Sequence, residues 1–190
     1  MLKAAKLLLA SQIVLAVSVV ACTVILPQFL FSRDQGGMSN YGVNSATIIP
    51  FTIGFAGAGI LICYAAWVLP QKTAHFKSLR FTLWLIGLLC LVLVATTYMY
   101  KLNHVLDLVH VYSAQFLALV EAVVGVWYAR RLVKDRKNQI LLGIFWFGFA
   151  LGLLTVGGVL HVLFFAEALT AFSFGAIMVH TVYTLTNQKG

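Results

Sequence analysis

The sequence predicts an all-α integral membrane protein: a bundle of six transmembrane helices, with residues 1–190 forming a single membrane domain. Three observations predict this fold class. The chain of 190 residues is 62% hydrophobic and only 9% charged, whereas soluble domains carry about 25% charged residues. Its apolar residues form six runs, each close to the roughly 20 residues that a spanning helix needs. Most of its basic residues lie in the breaks between these runs, a distribution that orients helices in a membrane.

The six runs cover roughly 7–31, 46–69, 81–100, 106–129, 139–160 and 163–185. The first continues past VVAC at 19–22 through TVILPQFLF, which favours a spanning helix over a lipoprotein signal peptide. The second carries GFAGAG at 54–59 and the fifth carries GFALG at 148–152. Small residues at these spacings let helices pack closely in lipid. The last two runs are separated only by a short break around His161, which predicts a tight helical hairpin.

Alternating the helices across the membrane divides the basic residues unequally. One side receives Lys3, Lys6, Lys72, Lys77, Arg80, Arg130, Arg131, Lys134, Arg136, Lys137 and Lys189, and the other receives Arg33 and Lys101. Because the basic side is cytoplasmic, both termini are predicted to be cytoplasmic and the polar stretch SRDQGGMSNYGVNS (32–45) to face outward. Its glycines are expected to supply turns, and Asn44 or Ser45 to cap the second helix.

This distribution also bears on location and partners. The net charge of +8 is explained by basic residues that orient the helices in the membrane, so nucleic acid is not an expected partner. Membrane lipids are expected partners, with a second membrane protein as an alternative, and a prokaryotic plasma membrane is the expected location. The sequence indicates no oligomeric state. The cysteines at 22, 63 and 90 all fall inside apolar runs, which is typical of buried thiols rather than of disulfides or metal ligands.

Ionisable residues inside spanning segments are costly and therefore mark candidate functional positions. In the fourth run, Asp107, His110 and Glu121 lie within about 80° of one another on one helix face, and His104 continues this stripe. Asp107 and His110, spaced i and i+3, are predicted to hydrogen-bond, which suits a general base or a metal ligand.

His161 and Glu167 flank the turn of the final hairpin, so they are predicted near the same outer surface as Ser39 and Asn40. With the fourth-run residues they suggest a zinc site or an activated water, the candidate ligands being His104, His110, His161 and Glu167. No HExxH or other tight ligand spacing supports a metal, and the alternative is that these residues bond to loops and lipid headgroups. A b-type haem held by His110 and His161 is a further alternative, so the cofactor is left open.

Two more ionisable residues are predicted at greater depth in the membrane. If the fourth and sixth helices adjoin, Glu121 and His180 would pair, either as a clamp between helices or as a proton relay. A small transporter is therefore a further functional alternative, although no broken helices or inverted repeat are evident.

The chain resembles a known family in these residues. Ser39-Asn40-Tyr41-Gly42 before the second helix, His110-Val-Tyr-Ser-Ala114-Gln-Phe116 in the fourth and Glu167 entering the sixth are similar to motifs of the prokaryotic six-helix proteins grouped as domain of unknown function 998. Eukaryotic DRAM and FRAG-type membrane proteins are more distantly similar. The resemblance implies a six-helix membrane protein concerned with lipid, although Asn40 stands where that element usually has an acid.

Two function classes follow. The first is a lipid-interacting membrane protein whose outer polar site binds a headgroup or partner through Ser39, Asn40, His104, His161 and Glu167. The second is a membrane-embedded lipid hydrolase or transferase, with His110 as base and Asp107 orienting it. The deciding feature is whether Ser39 and Asn40 fold over His110 and Glu167.

Overall fold

A computed structural model of the protein describes residues 2–31, 37–70, 73–98 and 103–187. Its elements are α1 (Leu2–Ile25), a 3₁₀ turn (Pro27–Phe31), the short α2 (Ser39–Gly42), α3 (Ile48–Val68), α4 (Ala74–Thr97), α5 (His104–Trp127) with a π-helical turn (Tyr128–Leu132), α6 (Arg136–Val156) and α7 (Leu163–Asn187). Six of these helices are long and apolar enough to cross a membrane, and no strand occurs in the described ranges. These six helices confirm the predicted ones, and the chain is therefore a multi-pass membrane protein.

Several helix boundaries differ from those predicted, for local reasons. The first helix ends at Ile25 rather than near residue 31, because Pro27 cannot donate the next helical hydrogen bond. The third spanning helix, α4, begins at Ala74, seven residues before the predicted start at 81. Thr73 caps it, because its hydroxyl accepts a hydrogen bond from the Phe76 N–H at 3.4 Å. Polar side chains in the first turn had concealed this start.

The break between α6 and α7 is longer than expected, covering residues 157–162. Here α6 ends in a Schellman motif: the Gly158 N–H donates to the Thr155 carbonyl at 3.0 Å and the Val159 N–H to the Leu154 carbonyl at 2.9 Å. Gly158 has a φ of 77°, which glycine adopts without strain. The chain thus leaves α6 abruptly and re-enters α7 antiparallel to it.

The helices do not pack in the order of the sequence. α5 packs on α4, α4 on α3, α3 on α1, α1 on α7, and α7 on α6. The first and last spanning helices are thus neighbours, while α5 and α6 stand at the two ends of this series. They meet near the π-helical turn, where a side chain at Gly125 would approach Leu142 of α6 and Phe174 of α7.

The two ends of the bundle have different chemistry. We call the end where α1 begins and α7 ends the basic end, since every basic residue in the described ranges lies there (Lys3, Lys6, Lys77, Arg80, Arg130, Arg131, Lys134, Arg136 and Lys137). Residues 32–36, Lys72, Lys101 and Lys189, which also entered the orientation prediction, lie outside the described residues. The main apolar core occupies the half of the bundle nearer the basic end and draws on all six long helices.

Close helix packing depends on glycine in α6. A Cβ atom at Gly148 would lie 2.8 Å from the Leu169 Cβ and 3.1 Å from two backbone atoms of α7, whereas one at Gly143 would meet nothing within 4 Å. The GFALG segment therefore packs α6 against α7 of the same chain, as the sequence predicted.

Candidate functional site

The end opposite the basic end is covered by residues 37–47, which we call the cap. Asn40, Tyr41 and Gly42 of α2 are buried. The Tyr41 ring, 1% exposed, packs edge to face against Phe29 and Phe164, with ring centroids 5.4 and 5.8 Å away. Burial, and then the nearby Cys22, raise the pKa of Tyr41 to about 12, so its hydroxyl remains a donor and bonds to the Leu26 carbonyl at 3.3 Å.

Glu167 of α7 holds the start of the cap. Its Oε2 accepts a hydrogen bond from the Met38 backbone N–H at 2.6 Å. Gly37, with a φ of 49°, turns the chain directly over this carboxylate, and a Cβ at that position would overlap it. Glycine is therefore required here both for backbone conformation and for space. The sequence predicted positive-φ glycines in this stretch, and Gly37 fulfils that prediction.

Gly42 has a different role from the turn expected of it. It ends α2 with a φ that is not positive, and a Cβ there would lie 2.6 Å from the Phe51 ring. The small residue thus lets the cap approach α3. Neither Asn44 nor Ser45 caps α3, since its N-cap is Thr47. Asn44 instead folds the turn before it, where its Oδ1 accepts from the Ala46 N–H at 3.0 Å.

His110 of α5 holds the centre of the cap. Its Nε2 lies 2.9 Å from the Ser39 hydroxyl, and the residue is only 6% exposed. The histidine is at its predicted position on the inward face of α5, and Ser39 reaches it from the cap. The cap therefore folds over His110 and Glu167 together, and belongs to the same site.

Two threonines of α4 contact the second ring nitrogen of His110. Its Nδ1 lies 3.2 Å from the Thr96 hydroxyl and 3.5 Å from that of Thr97. Both hydroxyl protons are donated to backbone carbonyls of α4: Thr96 to Val92 and Leu93, Thr97 to Leu93. The ring also bonds to the backbone of Leu93. These contacts suit a ring proton on Nδ1, which leaves Nε2 as the acceptor for the Ser39 hydroxyl.

The threonine pair was not identified from the sequence. Its signal was the polar dipeptide Thr96-Thr97 at the end of an otherwise apolar run. Asp107, predicted to orient His110, is half-buried on α5 and close enough for its charge to act on the ring. The orienting contacts at Nδ1 nevertheless come from α4.

The remaining candidates at the capped end do not join this group. His104, the first residue of α5, and His161, in the turn before α7, are both exposed. Within the described ranges, no group of three His, Cys, Asp or Glu residues is arranged to hold a metal ion. The proposed ligand set of His104, His110, His161 and Glu167 is thus not assembled in this structure.

The deeper pair is also arranged differently from the prediction. Glu121 lies beside Cys90 of α4, near enough to act on it electrostatically. His180 contacts Asp135 instead, with Nε2 and Oδ2 2.5 Å apart. Asp135 is the N-cap of α6 and accepts the Asn138 N–H at 2.8 Å. That bond, and then the bond to His180, lower the pKa of Asp135 against the opposing effect of burial. The sequence signal missed here was an Asp preceding a helix, a common N-cap.

The chain was compared with known proteins, and no family model, curated protein or solved structure matches it. The resemblance to the six-helix family thus stays a prediction.

Proposed function

We propose that the protein is a lipid-interacting membrane protein whose capped end binds a lipid headgroup. The observation that carries this proposal is the contact between Ser39 and His110, which joins the cap to the spanning bundle. Ser39 and His110 supply a hydroxyl and an imidazole at the capped end, and Glu167, bound to Met38, adds a carboxylate at the same end. These are groups that bind phosphate, hydroxyl and amine substituents of headgroups.

An apolar groove beside the cap supports the same function. It is a shallow, open depression at α3, lined by Ile48, Ile49, Ile53, Thr52 and Tyr98. A polar group at the bundle end next to an apolar depression in its flank is complementary to a headgroup with its acyl chain. In this proposal the capped end faces outward from a prokaryotic plasma membrane, because the basic residues at the opposite end favour the cytoplasm.

The test is photocrosslinking with a phospholipid that carries a photoactivatable headgroup, in vesicles containing the purified protein. We expect labelling to map to residues 37–47 and to fall at least fivefold in His110→Ala. His161→Ala is the matched control, because it removes an exposed histidine from the same end without touching the cap. Equal labelling of all three proteins, or labelling that avoids the cap, would refute headgroup binding at this site.

A second candidate is a hydrolase or acyltransferase acting on lipid esters, favoured by the 2.9 Å contact between the Ser39 hydroxyl and His110 Nε2. A serine donating to a histidine Nε2 is the arrangement of an activated nucleophile. Ser39 Oγ would attack an ester carbonyl carbon while its proton moves to His110 Nε2. Collapse would release the alcohol, which takes the proton from His110, and water or a second alcohol would then take the acyl group from Ser39.

This candidate has its own test. A fluorophosphonate probe should label Ser39 in wild-type protein and not in Ser39→Ala, while Ser113→Ala, which removes a half-buried serine of α5, should label normally. Absence of labelling in the wild type, under conditions where the headgroup crosslink forms, would reject catalysis and leave headgroup binding standing.

A further inference from the structure

The side of α3 that faces the membrane changes in character towards the basic end. Ile49, Ile53 and Ile60 are exposed along most of its length, and Tyr64 and Trp67 follow, 42% and 64% exposed. Spacings of three, four and seven residues place these side chains on one side of the helix. Tyr and Trp concentrate where the bilayer core meets the headgroups. The stripe therefore runs from the apolar core to the headgroups at the basic end.

A basic side chain from each neighbouring helix lies over one of these two rings. Lys3 of α1 has its Nζ 5.1 Å from the centre of the Tyr64 ring and donates a hydrogen bond to the Tyr64 hydroxyl at 2.9 Å. Arg80 of α4 has its guanidinium carbon 5.6 Å from the centre of the Trp67 ring. Cation–π attraction extends to about 6 Å. Since residues at i and i+3 are neighbours on a helix, α3 holds the two cations beside each other.

Both cations keep hydrogen-bond donors for a ligand. Lys3 uses one of its three N–H groups on Tyr64, and the Tyr64 hydroxyl, which accepts that bond, keeps its own proton for donation. The guanidinium of Arg80 has the Trp67 ring as its partner and no hydrogen-bond acceptor among the described residues. Several donors therefore converge at one point on the rim of the bundle.

Within the described ranges, no carboxylate balances these cations. The acidic residues of the chain are Asp34, Asp107, Glu121, Asp135 and Glu167. Helices α1, α3 and α4 thus contain none, while Lys6 and Lys77 are exposed on them and add positive charge. Asp135, the acid at the basic end, contacts His180 and caps α6. The surface formed by α1, α3 and α4 is therefore cationic and complementary to an anion.

We infer that this surface binds an anionic phospholipid, with its phosphate at Lys3, Tyr64 and Arg80 and an acyl chain along the isoleucines of α3. Charge complementarity identifies the occupant, because the cations stand at the headgroup end of an apolar stripe that faces lipid. A choline headgroup is disfavoured, since its ammonium would meet two cations and rings that already carry one each. The site is at the opposite end from the cap and does not rest on the function proposed there.

Native mass spectrometry of the delipidated protein, titrated with phosphatidylglycerol or phosphatidylcholine of identical acyl chains, tests the inference. We expect the wild type to prefer phosphatidylglycerol. Its affinity for this lipid should fall about fivefold in Lys3→Gln or Arg80→Gln, and about 25-fold in the double variant, from the effect of one base at an anionic surface. The matched control is Arg136→Gln/Lys137→Gln, which removes the same charges from exposed side chains of α6 at the same end and should keep the wild-type affinity.

Trp67→Leu tests the ring separately, because it keeps every charge and replaces one exposed apolar side chain with another. Without the ring Arg80 is no longer held in place, and the affinity should fall about two- to fivefold. Trp146→Leu, at an exposed position of α6, should leave it unchanged. The preference should also persist in His110→Ala, which removes the central contact of the cap.

Equal affinity of the wild type for the two lipids would overturn the inference. So would an equal loss of affinity in the two double variants, or an unchanged affinity in Trp67→Leu. Displacement of phosphatidylglycerol by an equal concentration of inorganic phosphate would also overturn it, because the surface would then bind a free anion rather than a lipid.

Discussion

The bond between Glu167 and Met38 should control how often the cap opens. In Glu167→Ala the Met38 N–H loses its acceptor, and Met38 is buried. Leaving a buried donor unsatisfied costs about 1–3 kcal/mol. Since about 1.4 kcal/mol is a factor of ten in an equilibrium constant, the open population of the cap should rise roughly 5- to 150-fold.

The chain carries a natural reporter of this opening. Cys22 is 1% exposed and packs in the same apolar cluster as Met38, Tyr41 and Phe164 of the capped end. Its thiol lies 3.8 Å from the Thr47 carbonyl. The rate of maleimide labelling at Cys22, followed by peptide mass spectrometry, should therefore increase in proportion to the open population.

The controls come from the same protein. Cys63 and Cys90, which lie outside this cluster, provide internal references whose labelling should not change. Glu167→Gln retains an acceptor oxygen and should raise the Cys22 rate much less than the alanine variant. If Glu167→Ala leaves the Cys22 rate within twofold of the wild type, or raises all three thiols equally, the carboxylate does not hold the cap.

Two further predictions concern stability. Gly148→Ala should destabilise the bundle by about 1–3 kcal/mol through overpacking against α7. Gly143→Ala, in open space on the same helix, should stabilise it by about 0.5–1 kcal/mol. Thermal unfolding in detergent should therefore show stability changes of opposite sign, and changes of the same sign would contradict the close α6–α7 packing. Asp135 has a pKa below its ordinary value of 3.8, so its contribution to stability is present above about pH 3.8 and is lost as the pH falls through the lower, folded value. Unfolding measured from pH 6 to pH 2 should show this loss in the wild type and a flatter profile in Asp135→Asn, and identical profiles would exclude the carboxylate as its source.

Much of the fold could be predicted because lipid imposes simple rules. Length and hydropathy located six helices, and GFALG correctly indicated close helix packing, which the structure shows at Gly148. These rules do not predict which helices are neighbours, and nothing in the sequence shows that α1 packs against α7. Helix ends were also predicted incorrectly where a helix-capping residue such as Thr73, or the Gly157-Gly158 turn, determined the boundary rather than hydropathy.

The sequence predicted some of the residues of the site, but not the groups to which they bond. Helical periodicity identified His110, and the position of Glu167 at the start of the last helix placed it at the same end. Their partners, Ser39 and the Met38 N–H, are at least 71 residues away in the sequence, so spacing could not reveal them. A local contact between Asp107 and His110 was the easier inference, yet the groups that contact Nδ1 of His110 are the threonine hydroxyls of α4.

The pairing of α1 with α7 has a consequence for synthesis of the protein. About 140 residues separate the end of α1 from the start of α7, which at 5–20 residues per second is roughly 7–30 s of translation. During this interval α1 can pair with α3, but the flank that carries Gln12 has no protein neighbour. The Gln12 carboxamide therefore remains exposed to lipid, or to the insertion machinery, until α7 is inserted and Gly175 packs against it.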